Sequence, residues 1–150
     1  MTELGPLPFN LNEADLSKAQ ITYTSYSAKT GVGKAEITIL GSGQVKLLEE
    51  ATRDDPNPRV FESELPTEVM VRLLDLMEEE NFFALDDLYR HTGVPMGTRV
   101  IALSLPGNSK TVMLDQPATC LPFERIAGAV KFAVGFAVPK ALQNRFFQRL

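Results

Sequence analysis

The stretch AKTGVGKAE, residues 28–36, carries most of the letters of a phosphate-binding loop. Such a loop reads Gly, four residues, Gly, Lys, then Ser or Thr. Its backbone N–H groups cradle phosphates, the lysine reaches the outer ones and the hydroxyl holds magnesium. Gly33 and Lys34 fit that pattern, but Ala28 stands at the first glycine and Ala35 at the hydroxyl. The loop must also open a helix, whose N-terminus binds the anion. Here AEITIL, residues 35–40, alternates apolar and polar residues as a strand does. The stretch therefore reads as a glycine-rich β-turn, and no nucleotide is expected.

Two other groups of residues could do chemistry. Cys120 lies just ahead of a helix opening near Pro122, where the helix dipole can lower a thiol pKa. His91 is the only histidine, and the two could form a thiolate–imidazole pair. No further feature links them, so Cys120 reads as structural, and the enzyme reading is kept only to be tested. With one cysteine and one histidine, structural zinc would need several carboxylates besides; neither a metal nor a cofactor is expected. The second group is acidic: Glu78, Glu79, Glu80, Asp86 and Asp87, in a stretch from Leu73 to Tyr89 without Lys or Arg. Three glutamates at a helix C-terminus oppose the macrodipole, and such local conflicts sometimes mark a site. A calcium loop would need regularly spaced oxygen ligands and a glycine, which are lacking here. A solvated acidic face, pairing with the basic C-terminal helix, and a site for a cation or basic partner remain as readings.

Charge is unevenly spread. Residues 41–90 hold thirteen acids against five bases, whereas residues 116–150 hold one acid, Glu124, against five bases. Five bases spread so thinly track a phosphate backbone poorly, and the acidic middle repels a polyanion, so nucleic acid is not expected as a partner. The longest nearly apolar run, Ile126 to Val138, is interrupted by Lys131 and is shorter than the roughly 20 residues of a membrane span. MTELGPLPFN has neither the basic nor the apolar region of a signal peptide. The single Cys120 cannot form an internal disulfide, which fits a reducing cytoplasm. A chain of 150 residues suits one domain that buries about 70% of its unfolded surface.

The elements that would position these residues follow from periodicity. Residues 1–19, with Gly5, Pro6 and Pro8, read as a leader with a helical turn near Glu13 to Ala19. Residues 20–150 read as a single α+β domain. ITYTSYS, AEITIL and QVKLLEE form a meander, the last two joined by the Gly-Ser-Gly turn at 41–43. A short edge strand is expected at Val60 to Glu62. Pro66 opens a helix running to about Glu80, with Val69, Met70, Leu73, Leu74 and Met77 on one face. DDLYRHTGVPMG reads as a loop, and TRVIALSL and KTVMLD as two more strands around PGNS. A helix follows from Pro122 to about Ala137, then a break at Val138–Pro139 and an extra amphipathic C-terminal helix. The expected fold is an antiparallel sheet of about five strands with the two main helices on one face.

Two surfaces could bind. Ala129, Ala133 and Ala137 recur every four residues, permitting close approach of the domain's own core or of a second copy. Phe146, Phe147 and Leu150 extend the second reading toward a homodimer or another protein partner. Alternatively Tyr23, Tyr26, Phe82, Phe83 and Tyr89 could line a small-molecule pocket between sheet and helices.

The order of landmarks resembles a known family. The glycine-turn hairpin ITILGSGQVKL precedes LPTEVMVRLLDLMEEENFFALDDLY, a helix closing on Phe-Phe-x-Leu. Two strands and the proline-led helix QPATCLPFERIAGAVKFAV follow. This layout, over roughly residues 20–137, resembles emfourin-type protealysin inhibitors and related small bacterial domains of unknown function. The resemblance implies a compact α+β fold without catalysis and inhibition of a metalloprotease by a protein surface. It assigns no inhibitory residue to a position in this chain.

Overall fold

Strand periodicity dominates the first half of the chain. The computed structural model describes residues 6–27, 33–53, 56–90, 93, 96–135 and 137. After a 3-10 turn at Pro8–Asn10, helix α1 spans Glu13–Leu16, capped by the Asn12 side chain accepting from the Asp15 N–H. Strands β1 (Gln20–Ser27), β2 (Ala35–Leu40), β3 (Gln44–Glu49) and β4 (Arg59–Glu64) form the meander. Helix α2 (Thr67–Glu79) and a 3-10 turn at Phe82–Ala84 follow. Then come β5 (Leu88–Tyr89), β6 (Gly97–Leu105), β7 (Asn108–Asp115) and helix α3 (Leu121–Gly135).

The α+β class stands, but the expected sheet of about five antiparallel strands is corrected to a mixed sheet of seven, ordered β4-β3-β2-β1-β6-β7-β5. The edge segment at Val60 is a full strand of six residues, and the loop after Asp87 contributes β5, which pairs parallel with β7. A two-residue strand is too short to show alternation, and the neighbouring glycines and prolines masked it. Its pairing extends to the Met113 N–H, which donates to the Asp87 carbonyl at 2.8 Å.

Register sorts the strand residues into two faces. One row on the covered face runs Val112, Ile101, Tyr23, Ile37, Leu47, Phe61 across six strands. All but Phe61 are buried, and Phe61 packs against their cluster. Onto this face α2 turns Met70, Leu73, Leu74 and Met77, and α3 turns Phe123, Ile126, Ala127, Val130, Ala133 and Val134. One core cluster contains them all.

The row on the other face reads Leu88, Met113, Val100, Thr24, Glu36, Leu48, Val60 across all seven strands. None of these belongs to the core cluster, and the buried side chains of the described helices all do, so those helices leave this face uncovered.

Of the segment expected to be a leader, residues 7–19 pack onto the domain. Leu16 and Ala19 are buried, and Leu7, Phe9 and Leu11 pack against the core. The Phe9 ring meets Phe83 edge-on at 5.4 Å, and the Phe9 N–H donates to Glu78 Oε2 at 2.6 Å. Gly41 explains how closely this segment approaches the β2–β3 turn: its N–H donates to the Ala19 carbonyl at 2.8 Å, and a Cβ there would overlap the Leu16 carbonyl. Gly43 adopts φ +96°, which few residues other than glycine take readily, and accepts from the Leu65 N–H. The expected break at Val138–Pro139 and the extra C-terminal helix lie outside the described residues.

Candidate functional site

Alternation along β6 puts Arg99 in phase with Ile101, Leu103 and Leu105, on the covered face. In its row it stands between Ser25 of β1 and Leu114 of β7. It is 8% exposed, and such burial of a cation demands partners. The first turn of α3 supplies them. The guanidinium lies 5.2 Å from the Phe123 ring centroid, and Nη1 and Nη2 both donate to the Glu124 carboxylate, the former at 3.1 Å. Burial opposes the charge, but Glu124 and Tyr23 outweigh it and hold the Arg99 pKa above its usual value.

Tyr23, fully buried one row inward, has its pKa raised by desolvation, although hydrogen bonding to Arg99 and the charge of Arg99 pull it down. Two turns beyond Glu124, Lys131 places Nζ 5.9 Å from the Tyr23 ring centroid. Burial, then repulsion from Arg99, lowers its pKa against the pull of Glu124. The group thus sets two cations against one carboxylate. Arg99 Nε is buried without a hydrogen-bond acceptor.

Arg99 and Glu124 form part of the wall of a cleft of about 300 Å³, completed by Met96 and residues 116–119. Its rim is pinned by the backbone: the Met96 N–H donates to the Gln116 carbonyl, and the Gln116 N–H to the Gly97 carbonyl, each at 2.9 Å. Glu124 N–H donates to the Cys120 carbonyl, so the first turn of α3 begins at the cleft. No sequence motif marks this cleft. A signal was nevertheless present, since Arg99 is the one charged residue in phase with the core residues of TRVIALSL.

The five aromatic residues considered for a pocket do not share one. Tyr23 and Tyr26 are three apart on β1 and so point to opposite faces; Tyr23 and Phe82 are core. Phe83 packs between Phe9 and Phe82, with ring centroids at 5.4 and 6.3 Å. Tyr89 accepts from the Asp86 N–H at 3.1 Å and neighbours Cys120. The Tyr89 pKa is raised, by desolvation first, with the Asp86 N–H opposing and Cys120 reinforcing the shift.

The alanine stripe faces inward. Ala133 is buried, and Ala129 and Ala137 pack against the core. The Ala137 carbonyl accepts from Ser63 Oγ of β4 at 3.1 Å. The small residues therefore serve the approach of α3 to the sheet. Phe146, Phe147 and Leu150 lie outside the described residues, as do His91 and residues 28–32. Next to the latter, Ala35 opens a strand, and Lys34 pairs with Glu36 at 3.5 Å.

The acidic cluster is divided among separate partners. Glu78 accepts from Phe9, Glu80 pairs with Arg125 of α3 at 3.1 Å, and Asp87 with Lys110 of β7 at 2.7 Å. Tertiary contacts thereby offset the unfavourable placement of Glu78 and Glu80 at the end of α2. Among the described residues, no three His, Cys, Asp or Glu side chains gather where they could hold a metal ion. No helix of the described residues is long and apolar enough to cross a membrane. No family model matches the chain, and a search of curated proteins finds no match.

Proposed function

We propose that the protein is a non-catalytic interaction module that docks a folded protein partner on the face of its sheet that the described helices leave uncovered. The observation carrying this reading is the row that crosses all seven strands there. Its ends are exposed and apolar, with Leu88 at 36%, Met113 at 40% and Val60 at 55%, and Tyr26, at 45%, flanks its middle. The centre is a polar pair, Thr24 Oγ1 donating to Glu36 Oε2 at 3.0 Å. Apolar anchors around a satisfied polar centre suit a protein surface, because such groups gain on desolvation without leaving a buried donor unmet. The most specific version is inhibition of a metalloprotease, motivated by the order of sequence landmarks that resembles emfourin-type inhibitors.

The test is an inhibition titration against a thermolysin-type metalloprotease, with the full chain and with Tyr26→Glu and Met113→Glu. Both positions are exposed, so folding should survive, as an unchanged melting curve would show. The proposal expects inhibition by the full chain and at least a tenfold weaker effect from each variant, since a desolvated interface charge is costly. Inhibition untouched by either substitution would move the surface elsewhere, and absence of inhibition would remove the protease version.

A further inference from the structure

The Arg99 cleft has no part in the sheet-face reading, yet it sets a buried guanidinium in its wall. Arg99 is more than nine-tenths buried and forms part of the cleft wall, its Nη1 and Nη2 taken by Glu124 and a further hydrogen bond shared with Tyr23. Its one carboxylate partner is the Glu124 side chain, 41% exposed. A solvent-reaching side chain can swing away, whereas the guanidinium cannot follow it. With the half-buried Lys131 close by, the group is one negative charge short of balance.

The start of α3 adds to this, because the first N–H groups of a helix lack internal partners and carry the positive end of its dipole. The other walls are apolar at Met96, Pro117 and Ala118 and polar at Gln116 and Thr119. At about 300 Å³ the cleft lies at the small end of ligand sites.

We propose that this cleft binds a small organic monocarboxylate, whose carboxylate takes the place of Glu124 on the Arg99 fork while its apolar part rests on Met96, Pro117 and Ala118. Guanidinium and carboxylate match as a planar two-point pair, which favours a carboxylate over a spherical anion. Glu124 then serves as a resident stand-in that keeps Arg99 paired when the cleft is vacant. Because one carboxylate replaces another, the exchange is nearly balanced, and affinity in the millimolar range is expected.

The test is a titration of the full chain with benzoate and with acetate, read by amide NMR signals of Arg99, residues 116–119 and Glu124, at ionic strength held constant with sodium chloride. The expected result is saturable movement of these signals, with benzoate tighter than acetate. Glu124→Gln, which replaces the resident carboxylate with a neutral amide, should tighten benzoate binding about tenfold, since charge-assisted bonds are roughly twice as strong as neutral ones. Arg99→Met should abolish the effect. Unmoved signals in the full chain, equal response to chloride, or a Glu124→Gln protein that binds no more tightly would each overturn the proposal. The Glu124→Gln arm keeps the test decisive even if Arg99→Met does not fold.

Discussion

Cutting the Arg99–Glu124 pair from its two ends should give unequal results. The Arg99 side chain is 9% exposed and that of Glu124 41%. Glu124→Ala leaves a desolvated guanidinium without its carboxylate. Breaking a fully buried pair in this way costs about 3–5 kcal/mol. Here the carboxylate end reaches solvent, so water can enter the vacated space and hydrate Nη1 and Nη2. That lowers the expected loss to about 2 kcal/mol, in the range of a single hydrogen bond to a charged group. For a domain of this size the melting temperature should fall by roughly 4–8 °C.

Arg99→Met removes the buried charge together with its desolvation penalty, keeps an unbranched side chain of similar length on the sheet, and releases Glu124 to water. The lost contact with Phe123 is worth only about 0.5–1 kcal/mol. Because the buried Tyr23 hydroxyl would also lose its Arg99 partner, at about 1–3 kcal/mol, both substitutions are compared in a Tyr23→Phe background. The net change should therefore stay within about 1 kcal/mol. Urea unfolding monitored by circular dichroism, with equal slopes for both variants, would measure the difference. A larger loss for Arg99→Met than for Glu124→Ala would refute the view that the cation is the burdened partner.

Three further outcomes follow from the packing. Gly41→Ala should lose about 3 kcal/mol or more, because the new Cβ overlaps a carbonyl and not a flexible side chain; thermal melting would show it. Leu16→Ala should cost about 2–5 kcal/mol, as a core residue does; a loss under about 0.5 kcal/mol would make residues 6–19 a dispensable appendage. The Tyr23 pKa is raised in the folded state above the ordinary 10.0, so the protonated form is favoured by folding. Its contribution is therefore complete below about pH 10 and is lost as pH rises through the folded value. Urea midpoints measured from pH 9 to pH 11 should fall less steeply in Tyr23→Phe than in the parent chain.

The meander, the hairpin β6–β7 and both main helices were legible because each repeats its apolar residues at the period of its own geometry. β5 was not, since two residues carry no period and parallel pairing at an edge depends on where β7 already lies. The leader failed for a different reason: prolines and glycine hid the fact that Leu7, Phe9, Leu11 and Leu16 meet the core through tertiary packing alone. In the alanine stripe the spacing announced close approach, but only the sheet position decided that the approach is internal. The acidic run left three readings open because its partners, the Phe9 N–H, Arg125 and Lys110, are distant in sequence. Arg99 was within reach of pattern reading, as a charge in phase with core residues, whereas its pairing with Glu124 required the placement of α3 over the sheet.

The sheet face that the described helices leave uncovered is tested most directly by methyl NMR of the full chain, recorded first at rising protein concentration and then with a thermolysin-type metalloprotease. Docking on that face predicts that the methyl signals of Leu48, Val60, Leu88, Val100 and Met113 shift or broaden in one of the two series, while those of Ile37, Leu47 and Ile101 on the covered face hold still. Open-face methyls unchanged in both series, or a response centred on the outer side of α3 at Leu121, would contradict it.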